Sequence, residues 1–408
     1  MYREVEESQT LLINSQTKEL IRQDKEIFQF GFGQSPFMPP ANVQLALQNA
    51  VKHKEYSSVQ GDQELRENIS TFHNAHNGLK VERDNVVVAP GSKILIFNIL
   101  LAFEKADVFI PAPAWVSYGP QAKLAGHHII KLSTSFEDRW RVTPQVIHEA
   151  VSSKHFKPSV LILNYPGNPD GLTYSETELS ELAKAVSKYN MLVVSDEIYG
   201  LLDHHNVHLS FANYYPQRTI TTTGLSKWCG AGGWRFGAAL ISKGIEASFK
   251  QTLLGIGSET YSCAAVPVQM AARVAYESYD SIKPFIHRQT QILKEIGTYC
   301  SGVLEKCNIR VHPPQGAFYL FLDFSLFHES LKKKGIHTSN ELCSRLLNDT
   351  GVVLLPSVAF GFNADFFGAR LAYVDFDEPA TTEIFLVKDQ CPRIIKGIEA
   401  LCQWISDI

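Results

Sequence analysis

The run VLILNYPGNPDGLTYSETELSELAKAVSKYNMLVVSDEIYG occupies residues 160 to 200. Val160 to Leu163 is wholly apolar, and a Pro- and Gly-rich turn, Asn164 to Gly171, follows it. Apolar residues then recur at helical spacing from Ser175 to Ser187, and Leu192 to Val194 is wholly apolar again. Strand, turn, helix and strand in this order form the unit of a parallel sheet. Strands that are apolar at every position are buried on both faces, as in a mainly parallel sheet covered by helices.

The same alternation continues on both sides. Strands are expected at Asn85 to Val88, Val108 to Ile110, His128 to Leu132, Thr219 to Thr222 and Ala238 to Ile241. With the two strands above, they make a seven-stranded sheet. Helices are expected at Ser92 to Phe103, Tyr118 to Leu124, Pro144 to Val151 and Lys243 to Leu253. The fold class is therefore α/β, with a large domain over residues 43–280. A long helical stretch, Val266 to Cys307, leads out of it. The remainder mixes strand-like Ala317 to Phe324 and Ala369 to Phe376 with helical patterns. It reads as a smaller α+β domain, residues 281–408, completed by the N-terminal segment 1–42. Gly31 to Pro40 is too rich in Gly and Pro for a regular element.

Bulk properties exclude several classes. The 408 residues are 45% hydrophobic and 20% charged, which is ordinary for a folded chain. A net charge of -4 gives no attraction to nucleic acid or to an anionic membrane. The short basic run Lys332 to Lys334 reads as a solvated helix face. The polar, acid-containing N-terminus lacks the apolar stretch of a signal peptide, and no apolar run approaches the roughly 18 residues of a membrane span. Seven cysteines without a CxxC pair point to free thiols in a reducing, cytoplasmic setting rather than to zinc or disulfides. His204, His205 and His208 lack the partners of a metal site, so a solvated loop is expected there.

Ligands of open α/β sheets bind outside the carboxyl ends of the strands. Five chemically loaded segments fall there: Pro90 to Lys93, Pro113 to Trp115, Asn164 to Gly171, Ser195 to Tyr199, and Gly224 to Lys227. The last opens GLSKWCGAGGWRFG, in which Arg235 follows Lys227 by eight residues across several glycines. Alone, the segment reads equally as a glycine-rich loop with an ordinary lysine. It lacks the GxGxxG spacing of a dinucleotide loop.

Taken in order, PGSK, PAPAW, NYPGNPDG, SDEIY and GLSKWCGAGGWRFG resemble the class I/II aminotransferases, enzymes of the fold-type I group dependent on pyridoxal 5′-phosphate. YSSVQGDQELR (56–66), PQGAFYLF (314–321) and FGARLAY (367–373) extend the resemblance over residues 30–375. It implies an enzyme that moves an amino group between an L-amino acid and a 2-oxo acid by a ping-pong mechanism.

The resemblance also implies roles. Lys227 forms a Schiff base with the cofactor and carries the substrate proton. Asp196 pairs with the ring nitrogen and keeps it protonated. Tyr199 and Asn168 donate to the phenolic oxygen. Trp115 stacks on the ring, with burial in a core as the other reading. Gly91, Ser92 and Lys93 at a helix start, with Ser226 and Arg235, hold the phosphate; Lys93 reads equally as a solvated lysine. Tyr56 reaches the phosphate of a neighbouring subunit, which implies a homodimer with shared sites. Arg370 grips the substrate carboxylate beside Asn168 and Gly33. Tyr319 lines the pocket or packs in the core, and Asn164 is structural. Glu197 fits the pattern without a clear chemical role.

Three positions depart from the usual pattern. Gly224 stands where a hydroxyl residue is common, Asp170 replaces the threonine of an NPTG turn, and Ala114 replaces a bulky aromatic. Two other functions share the constellation: a carbon–sulfur β-lyase with the same cofactor, and a non-catalytic protein that binds the cofactor for regulation.

Overall fold

The computed structural model describes residues 7–23, 25–153, 155–379 and 384–408. Residues 1–6 of the polar N-terminus lie outside the described residues. The strands are β1 (Phe28–Gln29), β2 (Val86–Ala89), β3 (Asp107–Ala112), β4 (His128–Ser133), β5 (Ser159–Asn164) and β6 (Leu192–Asp196). They continue with β7 (Thr219–Gly224), β8 (Gly237–Ile241), β9 (Tyr319–Asp323), β10 (Val352–Val353), β11 (Leu355–Pro356) and β12 (Gly368–Ala372).

Seven of them form one sheet in the order β2-β8-β7-β6-β5-β3-β4. β8 is antiparallel to both of its neighbours, and the other pairs are parallel. All seven expected strands are present. Side chains alternate between the faces, as the period of two demands. Val160 and Ile162 join one core with Leu95, Ile96 and Ile99 of the helix Ser92–Leu101. Leu161 and Leu163 join another with Leu179, Leu182 and Val186 of the helix Glu176–Lys188. Ser175 caps that helix in a reciprocal pair with Glu178, which fixes where the chain leaves the turn that precedes it.

The remaining strands are short. β9 and β11 flank β12 in an antiparallel sheet. β1 pairs in parallel with β10, so the N-terminal segment is stitched to the C-terminal part. A helix, Gln9–Arg22, precedes β1 and was not anticipated.

Three expectations need correction. The helical stretch 266–307 is two helices, Val266–Ala275 and Tyr279–Lys306. The break falls where the fully buried Tyr276 turns into the core, 5.2 Å from Phe72 and 5.6 Å from Trp228 between ring centres. Second, the cysteines are not all free: Cys307 and Cys402 form a disulfide with Cα atoms 5.7 Å apart. They lie 95 residues apart in sequence and meet because two helix ends pack together, which no local spacing reveals. Third, His204 and His208 are buried rather than in a solvated loop. Both nitrogens of His204 face backbone carbonyls, of Pro314 and Ala317, and burial lowers its pKa to about 4. Among the described residues no cluster of His, Cys, Asp and Glu suits a metal ion, and no helix is long and apolar enough to cross a membrane.

Candidate active site

The rim of the large sheet brings the expected residues together because strand ends place them there. The chain leaves β2 through Gly91, whose φ of +103° is open to glycine, and enters the helix at Ser92. The Arg235 guanidinium fills the space beside Gly91: a Cβ there would lie 2.4 Å from Nη2. A Cβ on Gly237 would lie 2.2 Å from the Ser92 nitrogen. Two glycines thus let an arginine and a strand start close on a helix N-terminus, where backbone N–H groups and a fixed cation both favour an anion. Lys93 adds a second charge. Burial, then the nearby Arg235, lowers its pKa, and its ammonium sits 5.4 Å from the centre of the Trp115 ring.

Trp115 packs edge-on against Tyr118 at 5.3 Å. The Tyr118 hydroxyl donates to Asp196 Oδ2 at 2.6 Å, and Thr222 Oγ1 donates to Oδ1 at 3.0 Å. Burial, then Asp196 itself, pushes the Tyr118 phenol well above its ordinary pKa and keeps it a donor. Asp196 is 3% exposed at the end of β6, and no Lys or Arg among the described residues pairs with it. Burial raises its pKa to about 6, against the pull of Tyr118 and Thr222. A buried carboxylate held by two hydroxyls and lacking a cation suits a protonated ring nitrogen.

The turn after β5 supplies Asn164 and Asn168. Asn164 Oδ1 accepts the Asn168 backbone N–H at 2.8 Å, and its Nδ2 donates to the Asp196 carbonyl at 2.8 Å. Its role is a brace between two strand ends. Asn168 Oδ1 accepts from Arg370 Nη1 at 3.0 Å. Arg370 is 1% exposed on β12, and its Nη2 donates to the Gly31 carbonyl at 2.6 Å. Its Nε is buried without a partner. The guanidinium carbon lies 4.7 Å from the Tyr319 ring centre and 5.3 Å from that of Phe360. Burial lowers its pKa. Among the described residues no carboxylate lies beside this desolvated arginine, a setting suited to a bound one.

Tyr319 closes the circuit. Its hydroxyl bonds that of Tyr199 at 2.8 Å, and it packs on Gly33, where a Cβ would collide with it. Burial, then Tyr319, raises the Tyr199 pKa far above its ordinary value. Lys227 Nζ stands 5.4 Å from the Tyr199 ring centre and 5.6 Å from that of Phe318, and donates to the Gly33 carbonyl at 3.0 Å. The contacts therefore run from Lys227 through Tyr199, Tyr319, Arg370, Asn168, Asn164, Asp196, Tyr118, Trp115 and Lys93 to Arg235 and Gly91. Among the described residues, no hydrogen bond or ring contact joins Ser226 or Tyr56 to this circuit; Tyr56 is 89% exposed. Glu197 faces away, accepting from Ser195, Ser210 and His208 inside the core.

Tyr118, Thr222 and Phe360 were missed in the sequence. Tyr118 had a signal, one turn beyond Trp115 at a helix start; Thr222 and Phe360 had none. Gly224 has a local explanation. A Cβ there would lie 2.5 Å from the carbonyl oxygen of Phe236, the residue just before the adjacent strand β8. Gly224→Ser is therefore expected to destabilise the chain by about 1–3 kcal/mol, read as a lower midpoint in denaturant unfolding.

Comparison with known proteins agrees with this geometry. Residues 25–371 match the model of a family described as Aminotransferase class I and II. A Streptococcus mutans protein named asparagine–oxo-acid transaminase is 29% identical over 401 residues, 96% of each chain. A Bacillus aspartate aminotransferase is 30% identical over 401 residues, again 96% of each chain. A solved structure of Thermus thermophilus aspartate aminotransferase with maleate superposes with a TM-score of 0.84, covering 98% of this chain and 100% of that one at 24% identity.

Proposed function

From the premise that the chain belongs to the aminotransferase class I and II family and is a pyridoxal-phosphate-dependent aminotransferase, we propose that its amino donors are L-amino acids with an acidic or amide side chain and that its acceptors are 2-oxo acids. The observation that carries the reading is Arg370, buried without a carboxylate and joined through Tyr319 and Tyr199 to Lys227. Three cations without acidic partners, Lys93, Arg235 and Arg370, line the circuit. The cofactor phosphate takes Lys93 and Arg235, and a substrate α-carboxylate takes Arg370. The acidic or amide side chain of the donor is inferred from the names of the relatives.

Pyridoxal 5′-phosphate, when bound, supplies an electrophilic aldehyde and an electron-accepting ring. Lys227 Nζ would be the amine that holds that aldehyde and the base that moves the substrate α-proton. Asp196 would keep the ring nitrogen protonated. Asn168 and Tyr199 orient the phenolic oxygen. Arg235 and Lys93, with the amides of Gly91 and Ser92, grip the phosphate, and Trp115 covers the ring. Ser226 adds a hydroxyl on the phosphate side, and Gly33 lines the carboxylate pocket. The test is a spectroscopic screen of the amino acids in the half-reaction without acceptor. Aspartate and asparagine should convert the bound cofactor to its pyridoxamine form fastest. Pyruvate and sulfide from cysteine, with no such conversion, would overturn the reading in favour of β-elimination.

The family resemblance of Tyr56 and its 89% exposure support a homodimer in which this tyrosine reaches the partner's phosphate. Tyr56→Phe should weaken cofactor affinity about tenfold or more, measured by equilibrium dialysis. Mixing Tyr56→Phe with Lys227→Ala chains should regain activity, because one site of each hybrid then has both groups. No regain, or a monomer by light scattering, would refute the shared site. The pairing of β1 with β10 supports a small domain of residues 1–42 and 281–408 beside a large one of 43–280. A cytoplasmic location is proposed from the aminotransferase relatives and the five free cysteines; the Cys307–Cys402 disulfide counts against it, and finding that pair oxidised in protein taken from cells would refute the proposal.

A further inference from the structure

A buried charge pair lies behind the turn that carries Asn168, and nothing described so far uses it. Arg141 and Asp170 are each 5% exposed, and Arg141 Nη2 donates to Asp170 Oδ2 at 2.5 Å. Asp170 belongs to the turn that carries Asn168. Its Oδ1 accepts the Leu172 N–H at 2.7 Å, and Arg141 Nη1 donates to the Leu172 carbonyl at 3.2 Å. The same carbonyl closes the turn by accepting the Gly167 N–H at 2.9 Å. Asp170 folds tightly over the turn: a Cβ on Gly167 would lie 2.2 Å from its Oδ1.

Arg141 is itself fixed from several sides. Its guanidinium lies 4.8 Å from the Tyr174 ring centre, and its Nε donates to the Arg139 carbonyl at 3.1 Å. The two residues before it, Arg139 and Trp140, take φ of +53° and +59°, a region that non-glycine residues seldom adopt. Trp140 packs edge-on against Phe321 at 5.5 Å, and Phe321 is the register partner of Arg370 across β9 and β12. The segment 139–141 therefore contacts an element at either side of the Asn168–Arg370 hydrogen bond. One is the turn behind Asn168, and the other is the strand beside Arg370.

We propose that Arg141 and Asp170 are positioning residues: their ion pair sets the Asn168 turn against Arg370, and so sets the receptor for the substrate carboxylate. The proposal rests on the assignment of Arg370 to that carboxylate. Breaking the pair from one side leaves a buried charge alone and displaces the turn. A displacement of about 1 Å in a positioning group can cost up to about 100-fold.

The experiment compares Arg141→Met, Asp170→Thr and the double variant, all loaded with cofactor, with Arg370→Lys as reference. Three readouts are taken: KM for amino donor and 2-oxo acid, the rise in melting temperature given by maleate, and the pH titration of the bound cofactor's visible absorbance. Each single variant should raise both KM values about ten- to 100-fold and shrink the maleate shift. The absorbance titration should move to higher pH, because Asn168 no longer meets the phenolic oxygen squarely. The double variant, which leaves neither charge buried alone, should fall between the singles and the wild type. It carries the measurement if the singles do not fold. A lowered melting temperature with wild-type KM, maleate shift and absorbance titration in the double variant would overturn the proposal, leaving the pair merely structural. A wild-type response of Arg370→Lys to maleate would instead overturn the carboxylate assignment beneath it, and the proposal with it.

Discussion

Lys227→Ala is expected to abolish transamination with every donor while the chain stays folded. The side chain is half-buried, and its hydrogen bond runs to the Gly33 carbonyl, so truncation opens no cavity in a packed core. On the proposed assignment, what is lost is the amine for the cofactor aldehyde and the base for the substrate proton. A positioned base contributes about 10²–10⁴ in rate. Loss of the covalent nucleophile adds to that, so kcat should fall by more than about 10⁴. Borohydride followed by peptide mapping should mark Lys227 in the wild type and no lysine in the variant. Label on another lysine, or kcat within about tenfold of wild type, would remove Lys227 from its role.

Asp196→Asn is expected to have the next largest effect, in two separate measurements. In the holoenzyme the asparagine cannot hold a proton on the ring nitrogen as an anion does. The lost electrostatic stabilisation should lower kcat by on the order of 10²–10³. In the cofactor-free protein the effect is on stability. Burial raises the folded pKa of Asp196 from 3.8 to about 6. Between those values the folded chain holds a proton that the unfolded chain has lost, so this group makes stability fall as pH rises. Its contribution to the slope between about pH 4 and 6 should vanish in Asp196→Asn, measured by urea unfolding across that range. An unchanged slope together with an unchanged kcat would refute the assignment.

The large sheet was legible because its central strands β5 and β6 carry wholly apolar runs, Val160 to Leu163 and Leu192 to Val194, a pattern that solvent-facing strands do not show. The site was legible where residues follow strand ends directly, as Asp196, Asn168 and Lys227 do. What stayed hidden depends on packing between distant segments. Thr222 points at Asp196 only because β6 and β7 are neighbours in register. β1 and β10 are each two residues long and have meaning only as a pair. The helix Gln9–Arg22 buries only Thr17 among its residues, so its amphipathic pattern was faint. Asp170 was noticed as a departure, but its partner Arg141 lies 29 residues earlier and carried no local mark. Cys307 and Cys402 likewise meet only through the packing of two helices.

One consequence follows from the direction of β8. Because it runs against β7 and β2, its beginning rather than its end lies at the rim. The segment between Gly224 and Gly237 is thus the link between two bonded strands, with Lys227 near one end and Arg235 near the other. Lys227 and Arg235 are two prongs of a single hairpin. Their separation is a ruler cut by the length of that link, so a one-residue insertion there would disturb both prongs together, even with every side chain of the site intact.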